Sequence, residues 1–95
     1  MFDLCLFAGT TEGRRLVEFL RETPLSVYVA VATEYGETLV PQGSNITVHA
    51  GRLDRAQMAA LFARERFALV VDATHPFAAE ATGNIASAAG ETGIE

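Results

Sequence analysis

Two short loops carry the residue types best suited to chemistry. Gly9-Thr10-Thr11-Glu12-Gly13 follows the apolar run Leu4-Cys5-Leu6-Phe7-Ala8, and Thr74-His75-Pro76-Phe77 follows Ala68-Leu69-Val70-Val71-Asp72-Ala73. Glycine lets a phosphate approach the backbone, and a threonine hydroxyl can cap a helix or donate to a phosphate oxygen. A helix that begins at such a loop adds unpaired N–H groups and a partial positive charge. Gly9 can make the tight turn, and Gly13 can set the following helix close to a sheet. The spacing departs from the G-x-G-x-x-G fingerprint: with Gly13 as the third glycine, Ala8 and Thr10 stand where the first two belong. No lysine follows, so this is not a Walker loop. The alternative is structural, with Gly9 a plain turn glycine and Thr11 a plain N-cap.

Three further positions bear on which ligand would fit. The second apolar run ends Ala32-Thr33-Glu34-Tyr35-Gly36, where an acidic residue would hold a ribose 2′-hydroxyl and hydroxyls or arginine would accept a 2′-phosphate. Glu34 points one way and Thr33 with Tyr35 the other. Arg52, after Gly51 at the end of a third run, can reach the same place or pair with Asp54 or Glu34 on the surface. His75 beside Pro76 fits either a general acid or an N-terminal cap with proline at the first helical position. It is the one candidate for a catalytic residue, and the catalytic group is otherwise unassigned. His49 lies within a strand-like run and reads as a packed or edge histidine, and Asp72 as a hydrogen-bond acceptor for loop backbone. The histidines lack metal-ligand spacing and the lone Cys5 sits in an apolar run, so no metal site is expected and the thiol reads as buried and inert.

The elements that must position these residues alternate regularly. Residues 3–8 lack polar alternation, as in a parallel strand covered on both faces. Gly13, Leu16, Val17 and Leu20 then mark one helical face, with Arg14, Arg15, Glu18, Arg21 and Glu22 opposite and Arg14–Glu18 at i,i+4. Thr23-Pro24 is expected to end that helix. Residues 25–32 form a β-branched strand, 33–43 leave room for about two helical turns, and 46–50 form a third strand. Asp54 and Gln57 predict a capping box and Leu53 with Met58 a hydrophobic staple, ahead of a stripe of Met58, Leu61 and Phe62. After a fourth strand at 68–73, Ala78, Ala81, Ile85 and Ala88 give a helical face of mostly small residues, which Gly90 and Gly93 are expected to end. The βαβα alternation predicts a doubly wound α/β parallel sheet, Rossmann-like, with strand order 3-2-1-4 and right-handed crossovers. Gly93-Ile94-Glu95 reads as the approach to a fifth strand, so the sheet is expected to be truncated there.

Composition narrows the function classes. An apolar fraction of 49% in 95 residues supports a packed core rather than disorder. A net charge of −5 argues against a nucleic-acid partner, and all seven basic residues are arginine. The N-terminus has no basic region before an apolar one, and no run is long enough for a bilayer, so a cytoplasmic protein without a membrane partner is expected.

Taken together, Gly9-Thr10-Thr11-Glu12-Gly13-Arg14, Ala32-Thr33-Glu34-Tyr35-Gly36, Gly51-Arg52-Leu53 and Val71-Asp72-Ala73-Thr74-His75-Pro76-Phe77-Ala78 resemble, in order and spacing, the signature segments of the precorrin-6A reductase family. The resemblance implies an NADPH-dependent oxidoreductase of cobalamin biosynthesis that delivers hydride to a double bond of the precorrin-6A, or cobalt-precorrin-6A, tetrapyrrole. It implies cofactor contacts at Gly9, Thr10, Thr11 and Gly13, a 2′-phosphate near Thr33, Tyr35 and Arg52, and a nicotinamide and substrate side at Thr74, His75, Pro76 and Phe77. Family members have two Rossmann-like domains with the macrocycle between them. Residues 1–95 are therefore expected to form the N-terminal, NADPH-binding one, incomplete and without the second. Two other readings are a nicotinamide-dependent reductase resembling dihydrodipicolinate reductase, and a module that binds a nucleotide without chemistry.

Overall fold

A computed structural model describes residues 2–74 and 79–93. Four strands alternate with four helices: β1 (Leu4–Ala8), α1 (Thr11–Leu20), β2 (Val27–Val31), α2 (Glu34–Leu39), β3 (Ile46–Ala50), α3 (Arg55–Glu65), β4 (Leu69–Ala73) and α4 (Ala79–Thr92). The strands form one parallel sheet in the order β3-β2-β1-β4, the order expected from the alternation. Leu4 of β1 stands opposite Val27 of β2 and Leu69 of β4, and Val27 stands opposite Ile46 of β3.

Successive residues of a strand face opposite sides, so the central strands feed two cores. Leu4, Leu6 and Ala8 join Val27, Val29 and Val31 beneath Val17 and Leu20 of α1. Cys5, Phe7 and Ala30 face α3 and α4, where they meet Met58, Leu61, Phe62, Ile85 and Ala88. All five residues of β1 are buried, as a strand covered on both faces requires. Phe62 anchors the second core, meeting Phe7 and Phe67 edge-on at centroid distances of 6.1 and 6.0 Å. The outer strands are only partly covered; Leu69 is 44% exposed because β4 lies at a sheet edge in the described chain.

The helix starts follow their local chemistry. Asp54 accepts from the Gln57 N–H (2.8 Å) while the Gln57 side chain accepts from the Asp54 N–H (2.9 Å), the reciprocal cap expected for α3. Two helix ends and one ion pair differ from expectation. α1 takes Thr10, one of the two threonines able to cap it, as its N-cap. It also stops at Leu20, before Thr23-Pro24, because its last carbonyls find side-chain donors: Thr23 Oγ1 and Asn45 Nδ2 both donate to the Leu20 carbonyl, at 2.6 and 3.0 Å. α4 runs through Gly90 to Thr92 and ends at Gly93, whose φ of +76° suits a residue without Cβ; Gly90 sits on open helix surface, where glycine weakens but does not stop a helix. Arg14 does not pair with Glu18; its Nη2 donates to Thr11 Oγ1 at 3.1 Å.

Candidate functional site

A crevice of about 860 Å³ opens at the carboxyl ends of the strands. This is where a doubly wound sheet places its ligands, beside the switch point at which strand order reverses between β1 and β4. Its walls come from the loops after all four strands, so positions far apart in sequence meet here: Gly9, Thr33, Tyr35, Arg52 and Thr74 all line it. Phe7, Ala30, Leu53 and Met58 supply an apolar floor.

At the first loop, Thr10 Oγ1 accepts from the Gly13 N–H (3.1 Å) and donates to the Ala73 carbonyl (3.0 Å). The hydroxyl is thus committed to the fold, clasping the start of α1 to the end of β4. Gly13 is a packing residue: a Cβ there would lie 3.3 Å from the Cβ atoms of both Ala8 and Ala73. Neither Thr10, Thr11 nor Gly13 lines the crevice wall, whereas Gly9 does. The donors left at this helix start are the N–H groups of Thr11 and Glu12, which have no partner among the described residues. A Cβ on Gly9 would meet only the Thr74 Cα, at 4.0 Å, so packing does not demand glycine there.

At the loop after β2, Thr33 caps α2 by accepting from the Gly36 N–H (2.9 Å), and Tyr35 is 74% exposed. Glu34 is exposed in the first turn of α2 and does not line the crevice. After β3, Gly51 adopts φ +131° and donates its N–H to the Val31 carbonyl (2.9 Å), a turn that L side chains rarely make. The turn delivers Arg52, which is exposed and pairs with neither Asp54 nor Glu34. Asp54 also reaches the crevice, but its carboxylate is held in the α3 cap.

At the end of β4, Asp72 Oδ1 accepts from the Thr74 hydroxyl (2.6 Å) and the Thr74 N–H (3.0 Å). Partial burial pushes the Asp72 carboxyl up, yet the hydroxyls of Thr74 and Thr82 and the Thr74 N–H outweigh it and hold the group below its usual range. Asp72 is the loop-ordering acceptor expected of it, and it fixes Thr74 at the crevice wall. His75, Pro76 and Phe77 lie outside the described residues. His49 stands on the edge strand β3, stacked on Tyr28 at 6.3 Å. Cys5 is fully buried, and desolvation pushes its thiol up to about 12, the inert state expected. No group of three metal-ligating side chains occurs among the described residues.

Periodicity assigns Arg14 to the outer face of α1, yet it lines the crevice. Helical side chains lean toward the N-terminus, so a long residue at the end of the first turn covers the helix start; that direction, rather than periodicity, was the available signal. Asn84 of α4 also reaches the crevice, and nothing in its local sequence distinguished it.

Strand order, crevice position and the glycine loop together define a Rossmann-like α/β domain with a ligand cleft at its switch point. The profile of the family described as precorrin-6x reductase CbiJ/CobK matches residues 3–95. The chain belongs to that family, which decides between the two reductase resemblances. It is similar to the cobalt-precorrin-6A reductase of Synechocystis sp., 34% identical over 94% of this chain and 34% of that one. The cobalt-precorrin-6A reductase of Methanothermobacter thermautotrophicus is 36% identical over 96% of this chain and 30% of its own length. Among solved structures, CobK precorrin-6A reductase superposes with a TM-score of 0.83 at 30% identity, covering 99% of this chain and 37% of that one. The chain thus spans about a third of the length of these relatives.

Proposed function

We propose that this chain is the NADPH-binding part of a reductase acting on a precorrin-6A-type tetrapyrrole, with or without cobalt, in cobalamin biosynthesis. The observation that carries the cofactor assignment is the charge of the crevice. Two arginines, Arg14 and Arg52, line it, the one acidic residue among its described lining, Asp54, is committed to a helix cap, and Glu34 stands outside. An anionic 2′-phosphate suits that lining better than a ribose hydroxyl seeking an acceptor. The residues fit the rest of a dinucleotide as well: the apolar floor suits an adenine ring, and Gly9 with the Thr11 and Glu12 N–H groups suits the bridging phosphates. When bound, the cofactor would supply hydride to the substrate double bond. Thr74, fixed by Asp72, borders the nicotinamide side, with His75, Pro76 and Phe77 next in sequence as the approach to substrate. A cytoplasmic location fits a biosynthetic reductase of this kind; no described helix is long and apolar enough to cross a membrane.

Titration of the protein with NADPH and NADH tests the reading. Saturable NADPH binding, weakened roughly tenfold or more by Arg52→Ala with NADH binding spared, is expected from loss of a charge-assisted contact. Equal affinity for the two cofactors would overturn the 2′-phosphate assignment. Precorrin-6A-dependent NADPH oxidation by the product of the complete reading frame tests the reaction. Cofactor binding without turnover would favour a nucleotide-binding module.

A further inference from the structure

We propose that Arg14 is a second arm on the 2′-phosphate, so that cofactor choice rests on a two-arginine clamp closing from opposite sides. The inference rests on the NADPH reading above and adds to it a residue that sequence periodicity assigns to the solvent face.

Strand order carries the geometry. β2 lies between β1 and β3, so the loop after β2 has the element following β1 on one side and the loop following β3 on the other. Arg14 comes from α1, directly after β1, and Arg52 from the loop after β3. Both line the same crevice as Thr33, Tyr35 and Gly36 at the end of β2. In a Rossmann-like sheet the adenosine ribose turns its 2′ position toward that end of β2. The bridging phosphates belong instead at the start of α1, beside β4, where the Thr11 and Glu12 N–H groups already offer donors.

Arg14 is also free to serve. Its guanidinium makes no ion pair among the described residues and is steadied only by the Thr11 hydroxyl, at 3.1 Å. One donor of the planar fork is used, which leaves the others for a phosphate oxygen pair. Thr33, whose hydroxyl accepts from Gly36, stands between the two arms as the wall rather than as a charge. A dianionic group held between two guanidinium forks gains from each, and a ribose hydroxyl gains little from either.

The test is a binding measurement with NADPH, NADH and adenosine 2′,5′-bisphosphate, the last carrying the 2′-phosphate without nicotinamide. Wild-type protein, Arg14→Ala, Arg14→Lys and Arg14→Ala with Arg52→Ala are compared, with circular dichroism checking the fold of each. Arg14→Ala is expected to weaken NADPH and the bisphosphate by about tenfold while changing NADH less than twofold. Arg14→Lys should recover part of that loss, since it keeps the charge without the fork. The double variant should bind NADPH and NADH alike. Equal weakening of NADPH and NADH by Arg14→Ala would assign Arg14 to the bridging phosphates and overturn the proposal, as would unchanged affinity for all three probes. Absence of saturable cofactor binding in the wild type would instead overturn the cofactor reading itself, and the clamp with it. A wild type that prefers NADPH separates the two failures.

Discussion

The two ends of the sheet are built on opposite plans. At the amino end of the strands, loops close on themselves with side-chain hydrogen bonds. Asn45 Nδ2 donates to the carbonyls of Leu20, Thr23 and Leu25 at 3.0, 3.1 and 2.7 Å, and the Ser26 N–H donates to Asp3 Oδ2 at 2.9 Å. Phe2, Tyr28 and Phe67 seal that end, with ring centroids 5.3 to 6.0 Å apart. At the carboxyl end, helix-start N–H groups are left without protein partners and two arginines without ion-pair partners among the described residues, around an open crevice. Buried polar groups must be satisfied for a fold to persist, whereas a binding site must keep some of its polar groups unmatched until a ligand arrives. The same sheet meets both demands by dividing them between its ends.

Breaking the amino end should alter stability and leave binding intact. Asn45→Ala removes a side-chain donor from three carbonyls, of which Leu20's keeps Thr23, and is expected to lower unfolding free energy by about 2 kcal/mol. The midpoint of urea unfolding reads the loss, and NADPH affinity of the protein that remains folded should be unchanged. A parallel drop in affinity would show that the two ends are not separable.

Thr10 is where the division should fail, because its hydroxyl both caps α1 and holds β4. Thr10→Val keeps the shape but removes the cap and the bond to Ala73, for a loss of about 1–2 kcal/mol. NADPH affinity should fall with it, and Thr10→Ser should restore both. Retained affinity in the valine variant would place the phosphate loop's order elsewhere.

The smallest effect belongs to Asp72. Its carboxyl titrates below the ordinary range in the folded protein, so its contribution is present above the unfolded-state value of 3.8 and is lost as pH falls through the lower, folded-state value. Asp72→Asn should therefore lower stability slightly at neutral pH and flatten the acid limb of a stability–pH curve, the difference from wild type closing as pH falls below the unfolded-state value of 3.8. A variant with the same acid limb as wild type would remove Asp72 from that role.

Much of this arrangement was legible in the residues. Apolar and β-branched runs mark the strands, period-3.6 faces mark α1, α3 and α4, and the alternation of types sets the strand order because right-handed crossovers leave few choices. Asp54 and Gln57 announced their cap, since that interaction lies within four residues. Arg14 and Asn45 escaped for one shared reason: their partners are fixed by tertiary placement. Periodicity reports which side of a helix faces the core, but not whether a long side chain bends around the helix start into a cleft. Likewise, nothing in the local sequence marks Asn45, and only the folded chain shows the carbonyls of Leu20, Thr23 and Leu25 converging on its amide. At the first loop, Thr10 and Thr11 were equivalent by type; the reach to the Ala73 carbonyl, 63 positions away, decides between them.

That reach makes the loop after β1 and the loop after β4 one mechanical piece. A single hydroxyl receives the Gly13 N–H and binds the Ala73 carbonyl, so β4 cannot slip along β1 without releasing the turn that begins α1. Displacement of the outer strand would therefore reach the first turn of α1 through one oxygen atom.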